Sequence, residues 1–138
     1  MPSGWTGSIT HKAGWAFAAA APSHVGSHAG TIGLDSEVFG TRERLSIAAR
    51  VLRPAELTRW RAAGADWPSL LRSFSVKEAI YKALHPWVPR YIGFHEAEVQ
   101  ADGSISMHLD GGEGDFVFES VVESDADRLL SFVRVRPT

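Results

Sequence analysis

Phe74-Ser75-Val76-Lys77-Glu78-Ala79-Ile80-Tyr81-Lys82 sets two lysines and a carboxylate close together in a helix-forming stretch. Ser75 stands where an N-cap belongs, and Glu78 three residues on completes a capping-box pattern. The spacing therefore predicts a helix that starts at Ser75, with Glu78 and Lys82 one turn apart on one face. A cation, an anion and a helix N-terminus then converge, an arrangement that grips a phosphate and a metal together. Taken alone, the stretch is better explained by an ordinary cap and a surface pair worth about 0.2–0.5 kcal/mol.

A second acidic cluster changes that balance. Ile32-Gly33-Leu34-Asp35-Ser36-Glu37 reads as a strand, and strand side chains alternate, so Asp35 and Glu37 share a face. Two carboxylates on one face repel unless something positive stands between them. Hard divalent cations such as magnesium take a few oxygen ligands together with water and substrate phosphate. Asp35, Glu37 and Glu78 are thus the candidate metal ligands, and a solvated acidic strand edge is the alternative.

Three motifs, in order, resemble those of the 4'-phosphopantetheinyl transferases of the surfactin- and enterobactin-synthetase type. Gly7-Ser8-Ile9-Thr10-His11 is similar to the family's Gly-Ser-x-Ser/Thr-His segment, Ile32 to Glu37 to its Gly-x-Asp-x-Glu strand, and Phe74 to Lys82 to its Trp/Phe-Ser-x-Lys-Glu-x-x-x-Lys helix. The resemblance runs from about Trp5 to the 105–110 region and fades in the C-terminal strands. It matches the C-terminal half of a pseudo-dimeric enzyme whose coenzyme A site lies at the seam, and so implies that the first half is missing from this chain.

The resemblance implies magnesium-dependent transfer of the phosphopantetheine arm of coenzyme A to a serine of an acyl or peptidyl carrier protein, releasing adenosine 3',5'-bisphosphate. The setting it implies is polyketide or nonribosomal peptide biosynthesis. Glu78 would draw the proton from the carrier serine, and Lys82 would stabilise the leaving bisphosphate. Thr10 and His11 match the position that contacts a coenzyme A phosphate. Lys77 is a further coenzyme-binding candidate, set against a helix-start lysine that points into water. Two residues depart from the pattern: Ser36 stands where an apolar residue is common, and Lys12 follows the histidine where a small residue is usual. Three readings stay open: a domain of a larger synthase that modifies its own carrier, a chain that completes its site by self-association, and a non-catalytic module that binds coenzyme A or carrier proteins.

Composition agrees with one small domain, 1–138: the chain has 138 residues, 44% hydrophobic and 22% charged, with a formal net charge of −2. There is no basic tract or zinc-type ligand spacing, which argues against nucleic acid. The absence of cysteine excludes disulfides and thiol catalysis. Ala13 to Ala21 imitates the middle of a secretory signal but is too short for a membrane span, which needs about 20 residues. It is expected to be a buried core strand, and the cytoplasm is the expected location.

The expected fold class is α+β, an antiparallel sheet packed against helices. Residues 1–11 are read as irregular, followed by a strand to about residue 21, a turn at Pro22–Gly30 and the strand bearing Asp35 and Glu37. Leu45, Ala48, Ala49 and Leu52 have helical spacing, Pro54 opens a further helix, and Trp67 begins a short helix leading into the one capped at Ser75. Three or four strands close the chain, with Asp102-Gly103 as a hairpin turn. Gly111-Gly112-Glu113-Gly114 lacks the lysine and helix of a P-loop. His24 and His28 lie in a turn with no third ligand and are read as exposed. A half-enzyme is also expected to leave an apolar patch open where its partner would dock.

Overall fold

The computed structural model describes residues 3–40 and 42–138. Strands β1 (Trp5–Lys12) and β2 (Trp15–Pro22) form a hairpin, the two-residue strands β3 (His24–Val25) and β4 (His28–Ala29) a smaller one, and β5 (Thr31–Val38) follows. After a single 3-10 turn come helices α1 (Ala48–Val51), α2 (Pro54–Ala62) and α3 (Trp67–Leu84). The chain ends with β6 (Ala97–Val99), β7 (Ile105–Met107), β8 (Phe116–Ser124) and β9 (Arg128–Pro137). An antiparallel sheet of order β5-β9-β8 carries α3 on one face, so the α+β expectation holds. The Asp102-Gly103 turn joins β6 to β7, with Gly103 at φ +87°. His24 and His28 are both exposed.

Residues 67–84 form one helix, not two. The cap lies at Asp66, whose carboxylate accepts from the Ser69 backbone N–H at 3.1 Å and from its hydroxyl at 2.7 Å, with a proline in the first turn. From there the buried positions Trp67, Leu70, Leu71, Ser75, Val76, Ala79, Ile80, Ala83 and Leu84 continue without a break. Ser75 is therefore a fully buried mid-helix residue and not an N-cap. A serine caps only where the preceding turn offers no better start, and Asp66 had already supplied one. The helix bridges two apolar clusters, one around Leu70, Leu71, Val51 and Leu129, the other around Ile80, Leu84, Val133 and Val135.

The N-terminal segment expected to be irregular is strand β1, paired with β2 from Trp5↔Pro22 to Lys12↔Trp15. Ala13 and Gly14 turn the hairpin at φ +52° and +81°, the sign pair of a type I′ turn. β2 is not the buried core strand its composition suggests: alternate residues are exposed, and Trp15 keeps 64% of its surface. Among the described residues the hairpin pairs with no further strand. Ile9 is 68% exposed beside an apolar hollow of about 550 Å³ lined by Gly7, Ser8 and Ala18–Ala20, so an open apolar face does exist here.

One glycine decides how closely α3 lies on the sheet. A Cβ at Gly33 would stand 1.9 Å from the Ala79 carbonyl oxygen and 2.7 Å from the Ala83 amide nitrogen, a distance no side chain tolerates. Gly33→Ala is expected to lower unfolding stability by about 1–3 kcal/mol or more through overpacking. Gly40→Ala, with nothing within 4 Å of its Cβ, should change stability by under about 1 kcal/mol. Urea unfolding of both variants checks this.

Candidate active site

Because Gly33 faces α3, strand alternation puts Asp35 and Glu37 on that same face. Both acids are 6% exposed, which removes the solvated-edge alternative. Across the β5–β9 pair Asp35 stands opposite Ser131, and Ser75 of α3 donates to Ser131 Oγ at 2.9 Å. Glu78, one turn further along α3 and half-buried, borders a cleft of about 350 Å³ shared with Tyr81, His85, Arg90 and Tyr91.

Two lysines answer these three acids. Lys82 Nζ donates to the Leu34 carbonyl at 2.8 Å and the Ile9 carbonyl at 3.4 Å, and lies 3.8 Å from Asp35 Oδ1. Lys12 Nζ lies 3.2 Å from Glu37 Oε2. The acids remain strained all the same. Burial pushes Asp35 up to about 7; the adjacent Ser75 hydroxyl and Lys82 pull it down, while the charges of Glu37 and Glu78 push it further up. Glu78 is raised too, first by burial and then by Glu37, against Lys82 and Lys12.

Among the described residues, no three Asp, Glu, His or Cys side chains are gathered as a ready metal centre. The donors nevertheless suit a hard divalent cation. Asp35 Oδ2 is buried without a hydrogen-bond partner, and the mutual repulsion of Asp35, Glu37 and Glu78 is what a bound cation relieves.

Thr10 turns away from solvent. It is 5% exposed, and its Oγ1 accepts from the Ser36 N–H at 3.1 Å and pairs with Ser36 Oγ at 3.3 Å, while Ser8 Oγ accepts from the Leu34 N–H at 3.0 Å. Among the described residues these hydroxyls stitch β1 to β5 where no backbone ladder runs, and Ser36 is the buried partner of Thr10. His11 points to the other side of β1 with Gly7 and Ile9 and is exposed.

Lys77 is neither in water nor beside the acids. It is fully buried, and its Nζ donates to the Val51 carbonyl and Glu56 Oε1, both at 2.7 Å, and to the Phe94 carbonyl at 3.2 Å. Glu56 also accepts from the Arg53 and Val99 amides. Burial pulls the Lys77 ammonium down against the opposing Glu56. The pair ties α1, α2, α3 and β6 together, and a lysine buried at all implies such a partner. Glu56, at the third position of the helix that Pro54 opens, reads as a cap in sequence, so nothing there announced the ion pair.

A model of the 4'-phosphopantetheinyl transferase superfamily (ACPS) matches residues 31–133. The 4'-phosphopantetheinyl transferase PptT of Mycobacterium tuberculosis (strain ATCC 25618 / H37Rv) is 31% identical over 103 residues, 71% of this chain and 42% of PptT. The chain belongs to the 4'-phosphopantetheinyl transferase superfamily. It spans less than half the length of that relative. The fold is shared with the ACPS–CoA complex of Chronobacterium ammoniagenes (20% identity, 80% of this chain and 98% of that one, TM-score 0.59). It is shared too with the holo-ACP-synthase of Plasmodium yoelii (14% identity, 78% and 94%, TM-score 0.61). The family match begins at β5, leaving Gly7–His11 outside, and runs into β9, through strands where the motif resemblance was expected to fade.

Two outcomes follow from this geometry. Between the ordinary 3.8 and about 7, an unfolded Asp35 is ionised while the folded one holds its proton, so the folded state loses stability as pH rises through that window. Asp35→Asn should flatten that fall and raise the thermal midpoint at pH 8, as read by circular dichroism from pH 4 to 8. Lys77→Met strands the buried Glu56 carboxylate and should cost about 3–5 kcal/mol in urea unfolding.

Proposed function

We propose that this chain carries out, or forms half of a site for, magnesium-dependent transfer of the 4'-phosphopantetheine arm of coenzyme A to a serine of an acyl or peptidyl carrier protein. What supports this is the electrostatic coupling of Asp35 with Glu37 and Glu78 across β5 and α3, with Lys82 3.8 Å from Asp35, in a chain of this superfamily. The proposal extends to a cytoplasmic, carrier-dependent pathway of the polyketide or nonribosomal peptide kind. Among the described residues, no helix is long and apolar enough to cross a membrane.

Asp35, Glu37 and Glu78 would hold the magnesium ion, which supplies positive charge against the pyrophosphate of coenzyme A. Phosphoryl transfer asks the protein chiefly for alignment and charge neutralisation. Lys82, anchored on two strand carbonyls, presents a fixed ammonium for the leaving adenosine 3',5'-bisphosphate. Glu78, at the cleft and held above the ordinary carboxylate range first by burial, would take the proton from the carrier serine. His11 is retained as the phosphate contact on the outer side of β1. Thr10 and Lys77, both buried, act by holding β1 and α3 in place.

A second copy of the chain, or the absent half of a longer protein, would cover the open hairpin face at Ile9 and Trp15 and complete the coenzyme site. Intact mass of an apo carrier protein incubated with the chain, coenzyme A and magnesium is expected to rise by one phosphopantetheine. Glu78→Ala should lower that rate about 100-fold or more. No gain in mass with the wild-type chain, alongside retained coenzyme A binding, would favour the non-catalytic module.

A further inference from the structure

Ser8, Thr10 and Lys12 alternate onto one side of β1. The first two reach the Leu34 and Ser36 amides of β5, and the longer Lys12, next on that side of β1, ion-pairs with Glu37. The partners differ in freedom: the Glu37 side chain is 8% exposed and fixed on β5, whereas Lys12 is 43% exposed and reaches in from solvent. Lys82 is anchored by two backbone carbonyls. Among the described residues, the Lys12 ammonium has Glu37 as its one hydrogen-bonding or ion-pair partner.

We propose that Lys12 is a resident counter-ion of Glu37, which a divalent cation must displace in order to bind. This rests on the metal reading above. An ammonium 3.2 Å from Glu37 Oε2 already compensates that carboxylate, and it repels a second positive charge brought to the same group. With all three carboxylates ionised, above the raised range of Asp35, two ammoniums leave the site with a formal charge of −1; release of Lys12 makes it −2 and ready for a divalent ion. Displacement sends the ammonium outward along a side chain that is already partly in water. The acids are therefore never left wholly uncompensated, and metal affinity is set below what the carboxylates alone would give. The hairpin end itself stays in place, because Arg128 lies over Trp15 and Phe17, with its guanidinium 5.8 and 5.5 Å from the ring centres, and donates to the Lys12 carbonyl.

The test is titration with Mn²⁺, free ion read by electron paramagnetic resonance, on the whole chain as wild type, Lys12→Gln, Lys12→Arg and Glu37→Gln. Lys12→Gln is expected to bind Mn²⁺ about tenfold tighter, and Lys12→Arg within about threefold of wild type. Without metal, Lys12→Gln should melt lower than wild type, and saturating Mn²⁺ should raise its midpoint by more than it raises that of wild type. An unchanged or weaker affinity in Lys12→Gln, with Glu37→Gln still impaired, overturns the counter-ion role and leaves the metal reading standing. Absence of Mn²⁺ binding in wild type and Lys12→Gln alike overturns both.

Discussion

Backbone contact between β5 and α3 at Gly33 is the constraint on which the rest depends. With no side chain at Gly33, and only methyl groups at Ala79 and Ala83, the helix settles onto the strand closely enough that Ala79 O occupies the space of a missing Cβ. Residues on either side are then forced together. Asp35 and Glu37 come from the strand, Glu78 and Lys82 from the helix, and their charges interact because Gly33, Ala79 and Ala83 let the backbones approach. An alanine-sized spacer would move the acids apart and relieve their repulsion. The fold thus holds a costly arrangement in place by packing, as functional sites commonly do.

The two lysines of the helix motif do opposite work. Lys77 lies on the flank of α3 that faces α1 and α2, is wholly desolvated, and is satisfied by Glu56 and two carbonyls. A buried pair of this kind adds little net stability over an apolar substitute, but either partner alone would be an uncompensated charge. What it supplies is orientation: it pins the helix rotation that turns Glu78 and Lys82 toward the cleft and the strand. Lys82 keeps part of its surface in water and its charge beside Asp35.

β1 joins this arrangement by side chains. Ser8 and Thr10 satisfy amides of β5 that a neighbouring strand would otherwise take, so the hairpin lies against β5 through hydroxyls and one lysine. Such a seam leaves the outer face of the hairpin without cover, and the exposed Ile9 and Trp15 are the result.

The sequence by itself determined the α+β class, the strand bearing Asp35 and Glu37, the helix bearing Glu78 and Lys82, and the family, because alternation, helical spacing and motif order are local properties of the chain. Ser75 was misplaced for the same reason: a Ser-x-x-Glu pattern is a cap wherever a helix begins, and the stronger start at Asp66 competes only once the apolar stripe from Trp67 to Leu84 packs as one piece. β2 was misread as core because its apolar composition says nothing of what lies above it. Only the tertiary structure decided that Lys77 is buried on Glu56, that Thr10 turns inward to Ser36, and that Lys12 meets Glu37. Those outcomes depend on distances between residues 21 to 26 positions apart, which no periodicity encodes and which the packing of α3 on β5 sets.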